Sequence, residues 1–244
     1  MSRFASNFWS IRERIRQYLT RRLRVPEIPV ALNRVAGLGF QPNLIFDVGA
    51  YQGEFAQCCL QIWPKTQIAC FEALEHKVQQ LQRLASHHTE IQVFPGLLGA
   101  KVDENVPFYE SETASSVLIE QIPQDFPITS HSMRTVDQIV EEYFDGRSPD
   151  LLKLDVQGYE LEVLKGSEKS LPTMQMILAE INLLDIHQEV SLLAEVVAWL
   201  NDRDWVAYDI CSLIYRPLDK ALWQTDFIFV PRKSLLREDK RWAA

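Results

Sequence analysis

At 244 residues, with 47% hydrophobic and 24% charged residues, the chain has the composition of an ordinary globular protein, long enough for one large domain or two small ones. A formal net charge of −8 argues against a general nucleic-acid binder, which needs a basic face to neutralise phosphates. Cys58, Cys59, Cys70 and Cys211 follow neither CxxC spacing nor an even framework, which argues against zinc and for reduced core thiols in a cytoplasmic protein.

The acidic balance does not extend to the first stretch, MSRFASNFWSIRERIRQYLTRRLR, where arginines at 3, 12, 14, 16, 21, 22 and 24 face a single acid, Glu13. Phe4, Phe8, Ile11, Ile15, Tyr18, Leu19 and Leu23 recur at steps of three and four, the stripe of an amphipathic helix. It is too charged to span a bilayer and lacks the apolar core of a secretory signal. The expectation is a helix packed on its own domain or, as a dimer contact, on a second subunit; the alternative is peripheral attachment to an anionic membrane through residues 1–24.

Pro26 and Pro29 end that helix, and PVALNRVAGLGF reads as a short second one closed by Gly37 and Gly39. Seven strand-like apolar runs follow, at Leu44 to Val48, Ile68 to Phe71, Ile91 to Phe94, Leu151 to Leu154, Met176 to Ala179, Trp205 to Ile210 and Phe227 to Val230. Helix-period segments fill the gaps: GEFAQCCLQIW, EHKVQQLQRLASHH, RTVDQIVEEYF, YELEVLKGSEKSL and SLLAEVVAWLND. This alternation predicts an α/β fold, a doubly wound, mostly parallel seven-stranded sheet covered on both faces. Residues 1–29 then form the basic helix and linker, 30–234 the main domain and 235–244 a tail. Two stretches break the rhythm. VPFYE and SSVLI, followed by the proline-broken IPQDFPITSH, read as an inserted hairpin and loop; CSLIYRPLDKALWQTD holds no crossover helix, so the last two strands are expected to pair antiparallel at an edge.

Ligands of an open parallel sheet sit beyond the carboxyl ends of its strands. The first strand runs into LIFDVGAYQGEF, which places Asp47, Gly49 and Gly53 in that loop. The spacing is neither GxGxxG nor GxxxxGK[ST], which weakens the dinucleotide and triphosphate readings. A carboxylate here would repel a pyrophosphate but suits a ligand with an ammonium group and a cationic centre, and S-adenosylmethionine has both. Glu72 ends the next strand in IACFEALE, where an acid can accept hydrogen bonds from a ribose diol; the alternative is a solvated glutamate at the start of a helix. In LLKLDVQGYELEVLKG, strand alternation places Lys153 and Asp155 on one face. Both are expensive to bury unless paired or facing a cavity. Glu180, closing MILAE, brings a further carboxylate to the same strand ends.

FDVGAYQGEF, CFEA and above all KLDVQGYELEVLKG followed by LAEI resemble the motifs of the FkbM family of S-adenosylmethionine-dependent methyltransferases, over roughly Leu38 to Val230. The resemblance implies a class I, Rossmann-like methyltransferase that releases S-adenosylhomocysteine. By it, Asp47, Gly49, Ala50, Tyr51, Gly53 and Phe55 belong to the methionine-binding loop, Glu72 holds the ribose, and the backbone of Gly96 to Gly99, with Leu98, lies near adenine. Asp155, Gln157 and Glu160 face the methyl group and acceptor. Tyr51 stands where the family often has asparagine and Ala73 where it often has proline.

For a hydroxyl acceptor, Asp155 is the first candidate to orient or deprotonate it, with Glu160 and Glu180 next; the competing reading of Asp155 is an ion pair with Lys153. No metal is expected, although the acids at 155 and 180 could hold magnesium. Tyr109, Ser115 and Ser116 of the insertion, with Gln157, are the candidate contacts to the acceptor. The expected acceptor is a small molecule or glycan, by family analogy a sugar or secondary-metabolite hydroxyl. Two other classes remain: an NAD-dependent oxidoreductase on the same sheet, and a non-catalytic adaptor that uses the basic helix.

Overall fold

A computed structural model describes residues 22–23, 25–122 and 124–243. The predicted amphipathic helix therefore lies almost wholly outside the described residues. Among these no helix is long and apolar enough to cross a membrane.

Helix α1 (Ile28–Gly37) precedes strand β1 (Leu44–Val48), α2 (Glu54–Ile62), β2 (Gln67–Glu72), α3 (Glu75–Ala85) and β3 (Ile91–Pro95). After β4 (Leu97–Leu98), β5 (Asp103–Tyr109) and β6 (Ile128–Arg134), the rhythm resumes with α4 (Val136–Tyr143), β7 (Leu151–Leu154), α5 (Glu160–Lys165), β8 (Met176–Asn182), α6 (Leu193–Asn201) and β9 (Trp205–Ile210). Strands β10 (Ile214–Tyr215) and β11 (Leu222–Pro231) follow. The main sheet runs β10-β11-β8-β7-β1-β2-β3, with β9 also paired to β11. Strands β8, β7, β1, β2 and β3 are mutually parallel, whereas β11 is antiparallel to β8, β9 and β10. The seven expected strands are thus all present, and the two-residue β10 adds an eighth at the antiparallel edge.

The central strands LIFDV, LLKL and MILAEIN are buried along their whole length, as strands covered on both faces must be. On one face Phe46, Leu152, Ile177 and Phe229 pack against α4, α5 and α6 through Ile139, Leu164 and Leu200. On the other, Ile45, Leu151, Leu178 and Ile228 pack against α1, α2 and α3 through Leu32, Cys59 and Leu81. Alternation turns Asp47, Lys153 and Glu180 toward the second face. Thr135 caps α4 by accepting from the Gln138 amide at 3.0 Å.

The insertion differs from expectation in its pairing. A second sheet, β4-β6-β5, replaces the predicted VPFYE–SSVLI hairpin: β5 pairs antiparallel with β6, while SSVLI makes one isolated bridge, Ser116 to Tyr109, and the next residue, Glu120, bridges to His187. The reason lies in length. Ile128–Arg134 offers a seven-residue partner, and only five residues separate Tyr109 from Ser115, where the chain makes a 3-10 turn (Glu112–Ala114) instead of a second strand. The predicted helix YELEVLKGSEKSL is also shorter: it ends at Lys165, residues 166–170 form turns, and a 3-10 segment, Leu171–Thr173, follows at Pro172. Within the expected tail, Leu236 packs back against the core beneath α1 and α2.

Candidate active site

Strands β1 and β7 are neighbours whose following helices, α2 and α5, leave to opposite faces. The crevice between such connections is where open α/β sheets bind ligands, and a cavity of about 400 Å3 opens there. Gly49 and Asp155 form its floor. With φ of +76° and space for a Cβ closed off by the Asp155 carbonyl oxygen at 1.9 Å, position 49 admits only glycine. The loop's own amides are largely committed: those of Gly49 and Ala50 donate to the Phe71 carbonyl, that of Gly53 to Ala50, and that of Tyr51 to Glu72. An incoming carboxylate is left the first-turn amides of α2, which a helix cannot satisfy internally. Phe55 and Glu54 of that turn line the cavity.

Glu72 closes β2 at the cavity's side. Its Oε1 accepts from the amides of Ala73 (2.8 Å) and Leu74 (2.9 Å), and its Oε2 from that of Tyr51 (2.9 Å). Three of about four lone-pair positions are filled, so one on Oε2 remains for a ligand hydroxyl. It is a built-in carboxylate, not a solvated helix residue: burial pushes its proton affinity up, and the three amide bonds oppose that. Beyond it Ala73, Leu74 and Phe108, with Leu97 and Val117, make a separate apolar cluster, and these five line the cavity together with Leu98. The result is an apolar slot beside a hydrogen-bonding carboxylate.

At the opposite end Lys153 is buried with its Nζ 3.2 Å from Asp47 Oδ1, 3.4 Å from Asp155 Oδ2 and 2.9 Å from the Gly49 carbonyl. Burial alone would lower its proton affinity, but Asp47 and Asp155 hold the ammonium above its ordinary range. Asp47 itself is 0% exposed. It does not reach the cavity; Lys153 stands between, joined to the loop that does. Asp155, by contrast, keeps 38% of its side chain exposed and lines the cavity. The amide of Gln157 donates to Asp155 Oδ1 (3.0 Å) and to Glu180 Oε1 (2.8 Å).

Glu180 is one of a row. One residue beyond the paired Leu154 and Ala179, Asp155 lies alongside Glu180, and Glu180 is paired directly with Asp226. Burial first, then the charges of Asp155, Glu160 and Asp226, push the Glu180 carboxyl well up. Between the two acids offered by the sequence as a magnesium pair sits the Gln157 amide, and among the described residues no group of three or more His, Cys, Asp and Glu side chains is placed to hold a metal ion. Glu160 is buried and accepts from the amides of Val156 (3.0 Å) and Gly158 (3.1 Å), so it shapes the turn after β7 and faces away from the cavity. Burial pushes its carboxyl up to about 7.

The fold therefore brings Gly49, Ala50, Tyr51, Phe55, Glu72, Leu98, Ser115, Asp155 and Gln157 to one cavity. It leaves Asp47, Gly53, Glu160, Glu180 and Ser116 off its lining. Gly53 is favoured by its backbone, whose φ of +86° lies in the left-handed region; a Cβ there would also stand 2.6 Å from the end of the Leu84 side chain. Ser116 donates to the Gln157 carbonyl at 2.9 Å and so ties the insertion to the turn after β7. Tyr109 lines a smaller cavity of about 130 Å3, with Ala114, Leu118, Glu120 and His187, on the far side of residues 113–117. Thr113, Ser115 and Val117 face the larger cavity. Lining residues absent from the sequence reading include Glu54, Leu74, Phe108, Glu112, Val117 and Tyr159; the burial of Phe108 in step with Val106 along β5 is the alternation that could have revealed the slot.

Residues 47–206 match the family model described as the methyltransferase FkbM domain. Among solved structures, methyltransferase FkbM from Methylobacillus flagellatus KT is similar with a TM-score of 0.50 and 16% identity, covering 77% of this chain and 43% of its own. The chain thus spans less than half the length of that protein. Precorrin-6y C5,15-methyltransferase from Geobacter metallireducens GS-15 aligns with a TM-score of 0.45 and 10% identity over 82% of this chain and 86% of its own. Aeropyrum pernix fibrillarin, solved with natively bound S-adenosyl-L-methionine, gives 0.45 and 14% over 79% and 68%. No curated protein matches.

Proposed function

The chain belongs to the FkbM methyltransferase family, and from that premise we propose that it transfers the methyl group of S-adenosylmethionine, directly and in line, to a hydroxyl of a sugar or other small metabolite. One observation carries the reading: a single cavity joins the Glu72 carboxylate and its apolar slot at one end to Asp155 at the other. The residues fit the donor part by part. The slot of Leu74, Leu97 and Phe108 suits a purine, the free lone pair of Glu72 a ribose hydroxyl, and the first turn of α2 a carboxylate. Glu54 is placed for an ammonium group. When bound, S-adenosylmethionine supplies a methyl group on a cationic sulfur, already activated toward a nucleophile.

The protein's part is then alignment, exclusion of water and management of one proton. Asp155 is half-exposed into the cavity, within reach of an acceptor hydroxyl. Gln157 holds one of its oxygens and Lys153 faces the other, so the carboxylate has a fixed orientation from which to accept that proton. Glu180, its carboxyl raised by burial and then by its acidic neighbours, lends support through the Gln157 amide and does not meet the acceptor. Asp47 acts at one remove, by seating Lys153 under the Gly49 carbonyl.

Calorimetry with S-adenosylhomocysteine and with NAD, followed by labelled methyl transfer to a panel of polyhydroxylated acceptors, tests this reading. Saturable binding of the nucleoside and label in an alkali-stable ether support it. An NAD isotherm with no response to S-adenosylhomocysteine would return the oxidoreductase.

A further inference from the structure

Lys77, on the first turn of α3, is 4% exposed, rare for a lysine at a helix surface. Its Nζ lies 3.9 Å from the centre of the Tyr51 ring and 3.0 Å from Glu112 Oε2. The Tyr51 hydroxyl donates to that same Glu112 oxygen at 3.1 Å, and His76 Nε2 stands 3.5 Å from Oε1. Three chain segments meet at this point: the cofactor loop, the helix after Glu72, and the insertion.

Tyr51 and Glu112 both line the donor cavity; Lys77 does not. Both also have left-handed backbone, with φ of +47° and +49°, a region that non-glycine side chains seldom occupy. Their convergence on one ammonium is what such backbone accomplishes here. Only the lysine is covered: Glu112 keeps 65% of its side chain exposed, so the ion pair by itself gains little, and it is the Tyr51 ring face that holds the cation more strongly than water does. The ammonium and the phenol together hold the Glu112 carboxyl below its ordinary value.

We propose that Lys77 is a positioning residue for the donor: seated between the Tyr51 ring and the Glu112 carboxylate, it clamps the insertion onto the cofactor loop and keeps the cavity closed over its nucleoside. The proposal rests on the donor reading above. Its direct consequence is kinetic, because release of the spent nucleoside requires the clamp to open.

The test combines stopped-flow displacement of S-adenosylhomocysteine, steady-state kinetics and amide hydrogen exchange in the wild type, Lys77→Met, Lys77→Arg and Glu112→Gln. Lys77→Met and Glu112→Gln are each expected to speed nucleoside release and raise the donor KM by about tenfold, the scale of one desolvated cation contact. At saturating donor, kcat should change less than about threefold, the pattern of lost positioning rather than lost chemistry. Lys77→Arg, which keeps the cation over the ring, should restore release to within about threefold of the wild type, and the Met–Gln double variant should be no faster than either single one. Because Glu112 is exposed, its variant folds even where Lys77→Met does not. Unchanged release and KM in Glu112→Gln, or additive effects in the double variant, would overturn the clamp. Hydrogen exchange of residues 109–122 in the free protein reads the clamp without any nucleoside. A wild type that binds no S-adenosylhomocysteine would remove the donor reading, while faster exchange in Glu112→Gln would still support the clamp and unchanged exchange would overturn it.

Discussion

The Lys153 ammonium stands 3.2 Å from Asp47 Oδ1, with both side chains buried and the lysine also bonded to the Gly49 carbonyl. Breaking such a pair from one side leaves a charge in the core. Lys153→Met is expected to lower unfolding stability by about 3–5 kcal/mol. Asp47→Asn should cost less, because Asp155 and the Gly49 carbonyl remain around the ammonium. Chemical denaturation of both variants and of the Asn–Met double variant checks this: the double variant should recover much of the Lys153→Met loss, and simple additivity would show that the two residues are not coupled.

Glu72 has one lone pair left for a ligand. Replacing it with glutamine should weaken S-adenosylhomocysteine binding about ten- to hundredfold, the range for one hydrogen bond to a charged group. Titration with the nucleoside lacking a ribose hydroxyl gives the discriminating comparison. If Glu72 reads the ribose, the variant and the deoxy ligand lose affinity non-additively; fully additive losses would place the effect in the loop amides instead.

Asp155 faces the cavity while its companions face each other. Asp155→Asn is expected to reduce turnover by about 10²- to 10⁴-fold, the contribution of a positioned acid–base group, while donor affinity changes less than about threefold. Single-turnover transfer, measured beside calorimetry, separates the two. A variant that turns over normally would remove Asp155 as the base.

Burial holds the Glu160 carboxyl at about 7, against an ordinary value of 4.5. Between those limits the folded state binds the proton more tightly than the unfolded chain. Stability contributed by the protonated form is complete below about pH 4.5 and is lost as pH rises to about 7, a difference of roughly 3 kcal/mol. Glutamine at 160 keeps an acceptor for the Val156 and Gly158 amides and has no proton to lose. Unfolding midpoints across pH 5 to 8 should therefore fall less steeply in Glu160→Gln; parallel curves would mean that the carboxyl titrates normally.

Position 49 tolerates no side chain because the Asp155 carbonyl occupies its space. Gly49→Ala must separate the turns after β1 and β7, and the expected result is loss of nucleoside binding with a lowered melting temperature. Retention of full affinity would show that these turns are not the cavity's floor.

Much of this arrangement is legible in the chain itself, since wholly apolar runs such as Met176 to Ala179 announce buried parallel strands, and the acid that ends β2 lines the cavity where a strand-end carboxylate is expected. What escapes is whatever depends on partners far away in sequence. The β6 stretch ITSHSMR buries only Met133 fully, so its pattern does not advertise a strand, and its pairing with β5 follows from the tertiary setting. Asp47 sits where the motif places it, but the motif cannot say that Lys153 intervenes. Likewise Lys77 reads as an ordinary helix-surface residue until Tyr51 and Glu112 arrive from other segments to cover it.

Residues 113–117 present Thr113, Ser115 and Val117 to one chamber, with Ala114 and Leu118 bordering another. A dividing wall one polypeptide thick has no interior in which to absorb a change. Enlarging a side chain on either side displaces the backbone shared by both, so natural variants should alter odd and even positions of this stretch in concert, and an enzyme engineer who redraws one room will have to refurnish the other.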